Sequence, residues 1–237
     1  MAPKHDFIKF DGPRPDYPYT TMIGSLMWAA LCTCPNIAFA VNQLTQFNSS
    51  FGLEHIASVK RIFRYLKGTM NYGIQYSHSK LGTMAIGYAD ADWAEDKDRK
   101  SISGNIFIMA GGAIAWSVKK QGSVALSTLE AEYVSLSHAT RHVLWHQMLI
   151  QELGFKPEQP FNLNNDNHRA IGLTHDPQFH GQSKHIDICH HFLRELIKRS
   201  NLKIHHIHSQ DNVADIFTKP LAETLFKKFA TLLVKGM

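Results

Sequence analysis

Six acidic side chains stand inside or beside short apolar segments, where acids are unexpected. Asp90 and Asp92 close the run MAIGYADADW, Glu130 and Glu132 open a helical stretch in STLEAEY, Asp166 ends FNLNND, and Asp215 begins a turn or helix in NVADIFTK. A carboxylate at such a place must be ion-paired, metal-bound or solvent-facing, because an isolated buried charge is costly. Four such ends gathered at one edge of a sheet would form a hard-oxygen cage, the donor set that suits Mg²⁺ or Mn²⁺. Two such ions about 3.5–4 Å apart can activate water and stabilise the leaving oxygen in phosphodiester hydrolysis. Singly, each acid has an ordinary use: Asp forms turns at strand ends, and Glu near a helix N-terminus is favoured by the macrodipole. Periodicity alone does not bring the acids together in space.

The elements that must position them read as two regions. Residues 1–16, with Pro13 and Pro15, form an extended, flexible arm. Residues 17–80 are helical. Thr21–Leu31 is one apolar helix, and Pro35 fits the first turn of a second over Asn36–Phe47, since proline has no amide hydrogen to lose there. A third helix spans about Leu53–Lys67, with Ile56, Val59, Phe63 and Leu66 on one face. Lys60, Arg64 and Lys67 lie on a neighbouring stripe. After Gly68 the period changes. Tyr72–Tyr76, Met84–Tyr88, Asn105–Met109 and Ala113–Ser117 read as strands, the last two as a hairpin about Gly111-Gly112. A long helix over Ser127–Leu153 follows, then a strand at Phe161–Asn164, helices over 167–174 and 186–199, a strand at Lys203–His208 and a terminal helix over 221–234. Hairpin-linked strands followed by helix-separated strands predict an α/β fold, a mixed sheet with helices on its faces, over 81–220. Residues 221–237 are set apart as a helical tail.

The 237 residues, 44% hydrophobic and 19% charged, have ordinary globular composition and argue against disorder. The longest apolar stretch, Met22–Leu31, is far short of a membrane span. MAPKHDFIKF has no apolar core of a secretory signal, and the 3 cysteines build no disulfide framework. An intracellular, reducing setting is expected, cytoplasmic or nuclear. Net charge is +5, and most of the excess falls in residues 1–80, which points to a polyanionic partner.

Taken in order, the blocks YADADWAEDKDRKSISG, IAWSVKKQGSVALSTLEAEY, NNDNHRAI, FHGQSKHIDICHHFLRE and ADIFTKPL resemble the ribonuclease H region of copia-type retrotransposon polyproteins. The upstream segment YTTMIGSLMWAA, CPNIAFAVNQL and HIASVKRIFRYLKGT resembles the C-terminal end of the preceding reverse transcriptase. The resemblance covers nearly the whole chain from about Tyr17. It implies an RNase H fold with a five-stranded mixed sheet, preceded by a small helical segment like a thumb or connection. It also implies four metal-binding acids, mapped to Asp90 (with Asp92 as alternative), Glu132 (with Glu130 as alternative), Asp166 and Asp215. The implied reaction is two-metal hydrolysis of the RNA strand of an RNA–DNA hybrid. No Tyr-x-Asp-Asp polymerase motif occurs, so the chain is not expected to synthesise DNA. An upstream polymerase domain is the expected partner within a polyprotein.

The chain departs from the family pattern at Cys34, Asn36, Glu95, His142 and Gln182-Ser183, none of them an implied ligand. The lost arginine at Cys34 would weaken a phosphate contact, which leaves a catalytically silent nucleic-acid-binding fragment as the alternative. Lys60, Arg64, Lys67, Lys119 and Lys120 are candidate phosphate contacts. His208, just ahead of the last acid's loop, is a candidate for assisting product release. Cys189 with His185 offers no second cysteine pair for zinc. Trp93, Trp116, Phe107 and Trp145 read as core.

Overall fold

The computed structural model describes residues 7–77, 85–93, 98–157, 160–175, 192–199 and 201–236. They divide into two units. One joins Met1–Gln75 to Lys219–Met237; the other is Tyr76–Thr218.

In the first unit, α1 (Tyr19–Cys32) leads through a 3₁₀ turn at Pro35–Ile37 into α2 (Ala38–Thr45) and α3 (Leu53–Gly68). Pro35 opens the turn, where its missing N–H leaves no unmet bond. His55 closes the start of α3, its Nδ1 accepting from Gly52 N at 3.0 Å. The buried face of α3 is Ile56, Val59 and Ile62. Phe63 and Leu66, expected beside Ile56 and Val59, are only half-buried. Residues 7–16 are held by specific contacts rather than hanging free: Phe10 N donates to Ser50 O at 3.0 Å, and the Phe7 and Phe47 rings lie 5.8 Å apart. Two further departures lie at the unit's end. β1 covers Tyr72–Gly73 alone and pairs antiparallel with Lys235–Gly236, the last strand of the chain. The terminal helix Glu223–Leu233 buries Phe229, Ala230 and Leu233, and Phe226 meets the Tyr65 ring edge-on at 5.9 Å. Its apolar stripe therefore belongs to the first unit's core, and 221–237 does not stand apart as a tail.

The second unit is a five-stranded mixed sheet. β2 (Ile86–Asp92), β3 (Ile102–Met109) and β4 (Gly112–Lys120) form an antiparallel meander, and β5 (Phe161–Asn165) and β6 (Leu202–His206) add in parallel, in the order β4-β3-β2-β5-β6. The β3–β4 turn has positive φ at both Ala110 (52°) and Gly111 (77°), the conformation that matches a tight hairpin to strand twist. α4 (Thr128–Glu152) lays Tyr133, Leu136, Ala139 and Val143 against Ala89, Phe107, Phe161 and Leu163. α5 (His168–His175) contributes Ala170 and Leu173 to the same core, and α6 (192–198) contributes Leu193 and Leu196. No helix among the described residues is long and apolar enough to cross a membrane.

Phe107 is core as expected, at 1% exposure. Trp93 and Trp145 are not, at 43% and 56%. Trp93 follows the end of β2 and spends its indole N–H on Ala125 O at 3.0 Å; Trp145 lies on the outer side of α4. Glu95, Gln182-Ser183, His185, Cys189 and the expected beginnings of the 84–88 strand and 186–199 helix lie outside the described residues.

Candidate metal centre

A mismatch in strand length makes the site. β5 pairs with β2 only from Ile86 to Tyr88, while β2 runs on to Asp92 against β3. Asp90 is therefore inside the strand, opposite Gly104, and not at its end. Beyond Tyr88 the β5 side of β2 has no strand partner, and side chains fill the place: Asn165 Nδ2 and Asn212 Nδ2 both donate to Ala89 O, at 3.0 and 3.1 Å. Around this notch, carboxylate oxygens of Asp90, Glu132 and Asp166 all lie within 4.8 Å of one another. Asp90 and Glu132 are buried and Asp166 is half-buried.

Each carboxylate accepts from an uncharged donor. Thr218 Oγ1 donates to Asp90 Oδ2. Asn165 Nδ2 donates to Glu132 Oε2 at 3.0 Å. Ser209 Oγ donates to Asp166 Oδ2, and Asn212 Nδ2 to Asp166 Oδ1 at 3.4 Å. These donors orient the oxygens and bring no positive charge of their own. Among the described residues no histidine or cysteine joins the trio, and an all-carboxylate set favours hard cations such as Mg²⁺ or Mn²⁺ over zinc. The residues fit such an ion.

The close pairs of candidates separate by local geometry. Ser127 Oγ accepts from Glu130 N at 3.2 Å, and Glu130 Oε2 accepts from Leu126 N at 2.8 Å. Glu130 thus spends its carboxylate on the residue preceding the Ser127 cap, while Glu132 joins the trio. Asp92, two residues past Asp90 on the same strand face, is half-buried and outside the trio. Asp215 is buried on a 3₁₀ turn, Val213–Phe217, and also stands outside it. Thr218 connects the two, since the hydroxyl that reaches Asp90 also lies 3.3 Å from Asp215 O. The turn sits closely on β3: a Cβ on Gly104 would come within 2.7 Å of Thr218 Cγ2 and 2.8 Å of Phe217 Cβ.

Histidines flank Asp166. His206 Nε2 donates to Asp166 O at 3.1 Å, and its ring stacks on His168 at 3.3 Å between centroids. His208 is exposed and meets His206 edge-on at 6.1 Å. Of the candidate phosphate contacts, Lys60, Arg64 and Lys67 are exposed on α3 and Lys119 on β4. Lys120, on the opposite strand face from Lys119, is already engaged: its Nζ lies 2.9 Å from Asp98 Oδ2. The sequence reading missed the neutral donors Asn165, Ser209, Asn212 and Thr218. A signal existed for two of them, since Asn165 immediately precedes Asp166 and Asn212 stands three residues before Asp215.

No family model matches the chain. It is similar to the retrovirus-related Pol polyprotein from transposon RE1 of Arabidopsis thaliana, 39% identical over 235 residues, covering 98% of this chain and 16% of that protein. It is also similar to the Pol polyprotein from transposon TNT 1-94 of Nicotiana tabacum, 39% identical over 221 residues, covering 93% and 16%. Among solved structures, the foamy viral protease-reverse transcriptase in complex with dsDNA superposes with a TM-score of 0.50 at 12% identity, over 84% of this chain and 40% of that one. This likeness concerns the fold. The chain thus spans about a sixth of the length of the curated relatives it matches. With that identity sustained over nearly all of its residues, the chain belongs to the Pol polyproteins of copia-type retrotransposons.

Proposed function

We propose that this chain is an RNA–DNA hybrid endoribonuclease, the RNase H portion of a retrotransposon Pol polyprotein. One observation carries the reading: three carboxylates from β2, α4 and the end of β5, far apart in sequence, bring oxygens within 4.8 Å of one another and are held by neutral donors. Asp90, Glu132 and Asp166 would hold Mg²⁺, or Mn²⁺ in its place, and Asp215 would complete a two-ion set. Bound there, the ions would supply water activation and stabilisation of the leaving oxygen. The chain's own residues do the positioning. Asn165 and Thr218 fix the orientation of Glu132 and Asp90, and Ser209 and Asn212 hold Asp166 between them. His208, exposed beside His206, assists product release. Lys60, Arg64, Lys67 and Lys119 contact phosphates, while Lys120 is spent on Asp98. Discrimination of RNA from DNA rests on the 2′-hydroxyl and the hybrid's shape. In a longer polyprotein, the polymerase domain would be the covalent partner.

The test is incubation of a strand-labelled RNA–DNA hybrid with the chain and Mg²⁺, repeated with Asp166→Asn. The expected result is cleavage of the RNA strand that the substitution abolishes. Hybrid binding by the unsubstituted chain without cleavage overturns the nuclease reading in favour of a silent binding module.

A further inference from the structure

Outside the acidic cluster, the first unit holds a surface groove of about 610 Å³ lined by Tyr17, Met22, Ala57, Lys60, Phe63 and Arg64. Its walls are apolar and include two aromatic rings. Lys60 Nζ lies 5.5 Å from the centroid of the Tyr17 ring, a cation–π contact that keeps this tyrosine against α3. Lys60 and Arg64 are exposed and one helical turn apart, ~6 Å along the axis. Arg61 and Lys67 are exposed on the same helix, whose sole acid is Glu54, near its start.

We infer that this groove takes an unpaired base of a single-stranded nucleic acid, seated against Tyr17 and Phe63, with the flanking phosphates on Lys60 and Arg64. The volume is that of sites which bind small ring systems. Aromatic platforms beside cations are the general means of holding single strands, because every base offers a π-face. A duplex hides those faces in its stack, so it can use the cations but not the rings. An apolar peptide would leave Lys60 and Arg64 desolvated without counter-charge, and a second copy would set one basic helix against another. The inference rests on the proposal that the α3 stripe contacts phosphates, and adds the base.

The full chain is titrated with a labelled thymidine 12-mer and with an abasic 12-mer of equal charge, across a salt series. The intact strand is expected to bind about tenfold tighter, the effect of one stacked base. Tyr17→Ala and Phe63→Ala should remove that preference. Ala57→Phe, which fills the groove from an exposed position and deletes no wall, should remove it too. Lys60→Gln and Arg64→Gln should weaken both strands and flatten the salt dependence. Equal affinity for intact and abasic strands overturns the inference and leaves the phosphate contacts standing. An unchanged salt slope in both charge variants overturns the phosphate contacts and the inference with them. A concentration-dependent dimer abolished by Ala57→Phe assigns the groove to a second copy and overturns it as well.

Discussion

Asn165 donates to Glu132 Oε2 and to the carbonyl of Ala89 through one amide nitrogen, each at 3.0 Å. One side chain thus closes the notch where β5 stops pairing with β2 and fixes an acid of the cluster. Asn165 itself has no exposed surface. An amide supplies two N–H donors and no charge, which is what this position needs between a carbonyl and a carboxylate.

Asn165→Leu should therefore lower stability more than its loss of polarity suggests. Ala89 O keeps the bond from Asn212 Nδ2, so the loss falls mainly on Glu132 Oε2, where a hydrogen bond to a charged group is worth about 1.5–3 kcal/mol. Urea unfolding at pH 7 checks this, with and without Mg²⁺. The deficit should narrow when Mg²⁺ is present, because the ion compensates the buried charge of Glu132. An identical deficit in both conditions would separate Glu132 from the cation site.

Glu130 and Glu132 should give opposite phenotypes. Glu130→Gln weakens the helix start, where the carboxylate accepts from Leu126 N; the expected loss is about 1 kcal/mol of stability with cleavage retained. Glu132→Gln keeps the fold and removes a charge from the trio, so cleavage should fall by orders of magnitude. Thermal melts and hybrid cleavage measured side by side decide it. Cleavage lost with Glu130→Gln and kept with Glu132→Gln would exchange their assignments.

Gly104→Ala should displace the turn that carries Asp215. The added Cβ would meet Thr218 Cγ2 at 2.7 Å, Phe217 Cβ at 2.8 Å and Ala214 O at 3.1 Å. Neither the backbone oxygen nor the two buried side chains can move freely. Overpacking of this kind costs about 1–3 kcal/mol, and the Thr218 bond to Asp90 should be lost with it. Cleavage should drop together with the denaturation midpoint, and wild-type values for both would mean that the turn yields without consequence.

The three acids that the structure gathers, Asp90, Glu132 and Asp166, were among the six that the sequence marked, because carboxylates beside apolar runs stand out. Asp166, at the end of β5, could be placed from the local run FNLNND. The β2 acid was mapped to Asp90 with Asp92 kept as the alternative, since both share a strand face and what separates them is long-range: Asp90 joins the trio and accepts from Thr218, 128 residues away. Glu130 and Glu132 differ for a local reason that the sequence did carry: Ser127 with Glu130 three residues on is a capping pattern. The sheet order and the notch were not legible, because the length of β2 depends on its pairing with β3, which periodicity does not report. The placement of the terminal helix with the first unit was hidden for the same reason, its apolar stripe being equally suited to any exposed core. Trp145 shows the limit of composition: a tryptophan on a long helix reads as core unless the face that meets the sheet is known.

Acid should destabilise the second unit through its histidines. His138, His142 and His146 recur every four residues along α4, and burial pushes all three below the ordinary imidazole value. His138 falls to about 4, chiefly by burial, with the charges of Arg141 and Lys119 adding to it. Its Nδ1 is buried with no hydrogen-bond partner among the described residues, so a proton there would gain nothing from the fold. In the unfolded chain the same ring takes up a proton near pH 6.5. The unfolded state thus binds more protons as pH falls below about 6.5, and stability is lost progressively down to about pH 4, being fully present above that window. His138→Phe keeps an aromatic ring and removes the titrating nitrogens, so it should flatten part of the acid limb while leaving stability at pH 7.5 close to wild type. Thermal melts from pH 7.5 to 4.5 in EDTA, which excludes any contribution from bound cations, measure the limb. An acid loss as steep in His138→Phe as in the wild type would move its origin elsewhere in the chain.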